Sequence, residues 1–150
     1  MIRFKKIAGD PRLFLRLLAQ AVGNDPEIVA LYCFGSYAGK RVGPLSDVDL
    51  AVLIDPQVPQ NQYFNKRLSI HALAARILKT DEIDIVILNS APPLLAHRVL
   101  KSRKILYERD SAKRTDFEVQ AIRRYLDFVP VLDRCQEAVI NHILVGKSIG

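Results

Sequence analysis

The stretch Ile28-Val29-Ala30-Leu31-Tyr32-Cys33-Phe34, a loop from Gly35 to Pro44, and then Asp47-Val48-Asp49-Leu50-Ala51-Val52-Leu53-Ile54 decides how this chain is read. The first run is short, apolar and aromatic-rich, which marks a buried strand. The second is another strand, closed by Asp55-Pro56. Only about a dozen residues join them, too few for a crossover helix, so the two strands are expected to pair antiparallel. Three of the seven glycines fall in the connecting loop.

Working outward, Asp10-Pro11 reads as a helix cap with proline at the first helical position. Leu13, Phe14, Leu17, Leu18 and Val22 follow at helical spacing, and Gly23 stops the run. Residues 60–79 read as a helix with Leu68, Ile70, Leu73, Ala74 and Ile77 facing inward. Ile83 to Leu88 is a third strand, apolar on both faces apart from Asp84. Pro92-Pro93 opens a helix through Lys101, and Lys104 to Glu108 is a fourth strand. Residues 111–143 are a long helical stretch with Pro130 as a kink or break. Short apolar strands alternating with helices predict an α/β fold: a mixed β-sheet packed by helices, with a C-terminal helical segment. The chain is expected to be one domain over residues 1–150, with its core at about 25–110 and C-terminal helices over 111–143.

Composition narrows the function. Hydrophobic residues are 49% and charged residues 25% of 150, which is globular and excludes disorder as the main state. No apolar run approaches the ~18 residues of a membrane span. The two cysteines, Cys33 and Cys135, are too few for a disulfide framework and read as small core residues in a reducing, cytoplasmic setting. The net charge is +6, and residues 96–150 hold eleven basic against seven acidic side chains. Such a surface suits anionic partners or a solvated helical face. No zinc-finger, helix-turn-helix or RNP signature accompanies it, so direct nucleic-acid binding is not expected.

The chemistry concentrates around the loop. Three residues separate Gly35 from Gly39 and Arg41 follows Lys40, so the spacing is not that of a P-loop. No G-x-G-x-x-G is present, which excludes a Rossmann dinucleotide site. Gly35 ends a strand without a Cβ, and Ser36 adds a hydroxyl beside exposed N–H groups; together they make either a phosphate cradle or a plain turn. Lys40 and Arg41 either reach phosphates from the loop or are solvated. Asp47 and Asp49 share one face of a strand, their Cα atoms roughly 6.6 Å apart. Two carboxylates so placed repel unless a cation lies between them, and hard oxygen ligands suit Mg²⁺. Asp84 is a third, inside an apolar strand, where a lone carboxylate is costly. If its strand lies beside that of Asp49, three carboxylates share a face. Such a set can hold two metal ions ~3.5–4 Å apart, the arrangement of phosphoryl and nucleotidyl transfer.

Gly35-Ser36, ten residues, then Asp47-Val48-Asp49, with Asp84 on a later strand, resembles the signature of the DNA polymerase β-like nucleotidyltransferases. The stretches Leu88-Asn89-Ser90-Ala91-Pro92-Pro93-Leu94-Leu95, Ile105-Leu106-Tyr107-Glu108-Arg109-Asp110 and Arg124-Tyr125-Leu126-Asp127-Phe128 resemble the minimal nucleotidyltransferase (MNT) antitoxins. The likeness implies a polymerase β-like nucleotidyltransferase fold. It also implies an enzyme that transfers AMP from ATP to a tyrosine of a cognate HEPN-domain RNase toxin, held in a hetero-oligomer with it. It assigns two Mg²⁺ ions to Asp47, Asp49 and Asp84, a further role for Asp84 in activating the hydroxyl, and the β- and γ-phosphates to Gly35 and Ser36.

Two alternatives stay open: an antitoxin that only occludes its partner, and a small-molecule nucleotidyltransferase of the aminoglycoside type. The R-x4–6-H signature of the HEPN nucleases is absent, so this chain is not read as the toxin. His71, His97 and His142 lack ligand spacing and read as core or surface residues. Tyr107 and Tyr125 read as packing residues.

Overall fold

The computed structural model describes residues 11–35 and 48–149. The elements are α1 (Pro11–Val22), β1 (Ile28–Phe34), β2 (Val48–Ile54), α2 (Tyr63–Leu78), β3 (Ile83–Ile87), α3 (Pro93–Lys101), β4 (Lys104–Glu108) and α4 (Ser111–Ile149). Single 3-10 turns at Gln60–Gln62 and Leu88–Ser90 lead into α2 and follow β3. The Asp10 cap lies outside the described residues.

The four strands form one sheet in the order β3-β2-β1-β4. β1 pairs antiparallel with both β2 and β4, and β2 pairs parallel with β3. The mixed sheet and the antiparallel β1–β2 pair agree with the sequence. Alternation along each strand splits the core in two. One side packs Leu31, Cys33, Leu50, Val52, Ile83, Ile85 and Ile87 against Leu18 and Val22 of α1 and Ile70, Ala74 and Leu78 of α2. The other packs Val29, Ala30, Tyr32, Ala51 and Leu53 against Val99 of α3 and Phe117 of α4.

Polar groups fix how the elements meet. The Asn89 side chain accepts from the Ile54 N–H at 2.8 Å and donates to the Ile54 carbonyl at 2.7 Å, extending the β2 ladder beyond the end of β3. Asp55, next along the chain, accepts from Lys113 of α4 at 2.7 Å and from Arg109 at 3.4 Å. Glu118 of α4 is buried and takes Arg103 at 2.9 Å, Arg114, and the Tyr32 hydroxyl at 3.5 Å. Burial and the Glu118 charge beside it push the Tyr32 hydroxyl far above the ordinary phenol range.

Several sequence expectations need correction. Leu68 is 50% exposed and Leu78 is buried in addition, while Ile70 and Ala74 are buried and Leu73 and Ile77 pack on the core as expected. In α1 the buried set is Leu15, Leu18, Ala19 and Val22, while Leu13 and Leu17 are exposed. Both helices carry more leucines than one buried stripe can hold, and only the packed sheet selects the stripe. α4 is one helix of 39 residues that continues through Pro130 without a break. Its N-terminal part packs on α3, where the Tyr125 and His97 rings stack at 3.6 Å and 4°. Tyr107 packs against the core, as expected. Beyond Leu132 the described side chains of α4 are exposed, Cys135 included, so its C-terminal part does not cover the sheet. No helix among the described residues is long and apolar enough to cross a membrane.

Candidate active site

Three strand ends meet in a row. The last residue of β1, Phe34, pairs with Asp49 on β2, and Asp49 pairs in register with Asp84 on β3. Neighbouring strands lie ~4.8 Å apart, so the two aspartates stand side by side across the sheet. They share a face because the apolar residues on either side of them are turned the other way. Val48 and Leu50 flank Asp49, Ile83 and Ile85 flank Asp84, and all four are buried against the α1/α2 side. Asp49 and Asp84 both line a cleft of about 470 Å³ with Phe34, Arg67, His71 and Val86.

Gly35 closes the row on the β1 side. Its φ is +67°, and a Cβ built there would lie 2.6 Å from Asp49 Oδ2. Glycine is thus required twice over: for the left-handed backbone and for room beside the carboxylate. The nearest thiol is no nucleophile here. Cys33 lies on the opposite, buried face, and burial pushes its thiol up to about 11; Lys104 opposes the shift and Asp49 adds to it.

Of the residues singled out in the sequence, the structure brings together Gly35, Asp49 and Asp84. Ser36, Lys40 and Asp47 lie outside the described residues. Asp84 differs from expectation in one respect: it is exposed to the cleft, not buried in an apolar strand. β3 is an edge strand, and among the described residues no helix covers the Asp84 side chain. Among the described residues no three metal-ligating side chains converge. The pair Asp49–Asp84 does fit a hard divalent cation: two carboxylates in register, open to solvent, beside a glycine that leaves space at the Asp49 oxygen.

Sequence reasoning passed over Arg67 and read His71 as a core or surface residue. Arg67 and His71 stand one turn apart on α2 and both face the cleft. The signal was available: an i, i+4 basic pair on the helix that leads into the Asp84 strand. His97 and His142 are elsewhere; one stacks on Tyr125 and the other is exposed.

A mixed sheet with glycine at the end of one strand and carboxylates in register on the next two defines a nucleotidyltransferase-type site. The family model for polymerase beta nucleotidyltransferases matches residues 17–112, and the chain belongs to that family. It is 38% identical over 101 residues to the protein adenylyltransferase MntA of Aphanizomenon flos-aquae (strain 2012/KM1/D3), a match that takes in 64% of this chain and spans 65% of that relative's length. Among solved structures it resembles a toxin-antitoxin crystal structure with AMP-PNP, at a TM-score of 0.64 and 24% identity over 87% of this chain and 98% of the other. It also resembles a complex of tri-AMPylated Shewanella oneidensis HEPN toxin with MNT antitoxin, at a TM-score of 0.58 and 24% identity over the same shares. At that identity the two structures speak for the fold.

Proposed function

We propose that this chain is the antitoxin of a toxin–antitoxin pair and an adenylyltransferase. In this reading it transfers AMP from ATP to a tyrosine hydroxyl of a cognate HEPN-domain RNase toxin, which silences the toxin. The observation that carries the reading is the in-register pair Asp49–Asp84 beside Gly35. The curated relative's own activity and the MNT antitoxin in the complex named above support the choice of acceptor.

The step is a substitution at the α-phosphorus. The tyrosine oxygen forms a new P–O bond, the bond to the β-phosphate bridging oxygen breaks, and pyrophosphate leaves. Gly35 and Ser36, with Lys40 from the loop, hold the β- and γ-phosphates. Asp84, open to the cleft, accepts the hydroxyl proton and passes it to solvent. A free tyrosine has a pKa near ~10, so the proton needs such an acceptor at neutral pH. Asp47, Asp49 and Asp84 would hold two Mg²⁺ ions, which would neutralise the triphosphate and ease ionisation of the attacking hydroxyl. The protein's own contribution is position: the row of strand ends sets the acceptor and the leaving group in line. The catalytic core, about residues 25–110, and the C-terminal helical segment act as one minimal domain in the cytoplasm, in a hetero-oligomer with the toxin.

The test is incubation with labelled ATP, Mg²⁺ and the HEPN-type protein encoded beside this chain, followed by mass spectrometry of that protein's tyrosines. AMP on tyrosine is the expected result. Should Asp49→Asn with Asp84→Asn leave cells protected and the tyrosines bare, occlusion of the partner replaces transfer as the mechanism.

A further inference from the structure

The strand order leaves β3 at an edge, and among the described residues no strand pairs with its outer side. The Val48 N–H donates to the Glu82 carbonyl at 3.0 Å. Backbone polar groups alternate sides along a strand, so those of residues 82, 84 and 86 face β2. Those of Ile83, Ile85 and Ile87 therefore face outward. The Ile87 carbonyl accepts the Ser90 hydroxyl at 3.4 Å, which leaves Ile85, in mid-strand, presenting its N–H and C=O to the open side.

Two walls stand beside this edge. Tyr63, Phe64 and Arg67 come from α2, while Pro92 and Leu95 come from the start of α3, and between them lies a groove of about 320 Å³. Phe64 is 63% exposed, so its ring offers apolar surface at the mouth of the groove. The groove opens into the carboxylate cleft, since Arg67, Ile85 and Val86 line both. One continuous channel thus runs along β3 and ends at Asp84.

The chemistry says what must enter it. In-line displacement puts nucleophile and leaving group on opposite sides of the phosphorus. Across the sheet the order is Gly35, Asp49, Asp84, open edge. With the β- and γ-phosphates at Gly35, pyrophosphate leaves toward β1 and the acceptor oxygen arrives from the β3 side. A nucleobase between the apolar walls would meet at most one N–H and one C=O of the strand edge. An extended peptide satisfies both, through added-strand pairing and side-chain anchoring.

We propose that the outer edge of β3 and its groove are the acceptor-docking site. An extended segment of the acceptor protein pairs with Ile85, lays an apolar side chain between Phe64 and Leu95, and so carries its tyrosine hydroxyl to Asp84. This rests on the adenylyl-transfer reading given above.

Two titrations and one exchange measurement test it. The HEPN-type partner is titrated by calorimetry without nucleotide, and a non-hydrolysable ATP analogue with Mg²⁺ is titrated separately. Phe64→Glu is expected to weaken partner binding about tenfold or more and to leave analogue affinity within about twofold. Phe64 is exposed, so the substitution removes little packing. The Ile85 amide is expected to gain protection from hydrogen exchange in the complex. Unchanged partner affinity with an unprotected Ile85 amide overturns the proposal. Weakened analogue binding with partner affinity retained also overturns it and assigns the groove to the nucleobase. Partner binding is read here without chemistry, so a wild-type chain that binds the partner at this edge yet leaves its tyrosines bare with ATP and Mg²⁺ would sink the proposed function while leaving this result to stand alone.

Discussion

Gly35 and Asp49 hold each other in one geometry. The glycine's left-handed backbone lets its Cα sit against the Asp49 carboxylate, and any side chain there meets Oδ2 at 2.6 Å. An L-residue in that backbone region costs about 1–2 kcal/mol, and the carboxylate must also move. Gly35→Ala is therefore expected to lower unfolding stability by about that amount in urea titration. A displacement near 1 Å at a catalytic group costs on the order of 100-fold in rate, and a loss of that size is expected in AMP transfer. A variant with full transfer activity would show that the contact positions nothing. At this scale the sequence was legible where a residue type admits few explanations. Gly35, Asp49 and Asp84 were readable because a strand-end glycine and strand carboxylates are hard to justify as packing. Cys135 was misread because an apolar neighbourhood in sequence says nothing about which face of a helix meets a partner. His71 was read as a core or surface residue and Arg67 was not singled out, because only the folded chain sets this face of α2 beside the cleft.

At the scale of elements, the site exists because β2 and β3 run parallel in a fixed register. A slip of one residue would turn Asp84 to the buried side. The Asn89 clamp on Ile54 resists such a slip from one end, and Val48 bonding to Glu82 resists it from the other. The sequence predicted both strands from their apolar runs, yet the register waited on these hydrogen bonds, which no periodicity encodes. Asp55 has the matching task at the far end of β2. The Lys113 hydrogen bond holds its carboxyl below the usual range, with the Gln57 N–H adding to the effect against a small burial cost. A depressed carboxyl pKa adds stability above the unfolded value, and that stability is lost as pH falls through the folded value. Acid titration of unfolding should therefore show a loss beginning near pH ~4 and continuing below it. Asp55→Asn should flatten this segment and cost about 1 kcal/mol at neutral pH, a modest figure because Lys113 and Arg109 are partly solvated. An identical acid limb in the variant would show that the pair contributes nothing.

Taken as a whole, the molecule is a small sheet sandwiched by helices, with one helix far longer than the rest. At 1.5 Å per residue α4 extends roughly 58 Å, while α3, on which it packs, covers only about 13 Å. The sequence reads residues 111–143 as a long helical stretch, and its apolar residues continue through Val139, Ile140 and Ile143. Those residues are 59%, 56% and 49% exposed, so the spacing continues where the α3 surface has ended. Periodicity reports a helix with an apolar stripe; it does not report whether anything lies opposite. A helix held by its own hydrogen bonds alone is marginal in water. Backbone amides of residues 134–146 in the isolated chain are thus expected to exchange orders of magnitude faster than those of β1 and β2, by hydrogen-exchange mass spectrometry. Protection equal to that of the strands would mean that this end of α4 is covered in solution.

Divalent-cation binding tests the shared carboxylate site most directly. Mn²⁺ titrated in the presence of a non-hydrolysable ATP analogue and followed by electron paramagnetic resonance should bind the wild-type chain. Asp84→Asn should weaken it by about tenfold or more while circular dichroism reports the same fold. Equal Mn²⁺ affinity in the two proteins would contradict the central claim that Asp49 and Asp84, brought into register by parallel strands, hold one cation site between them.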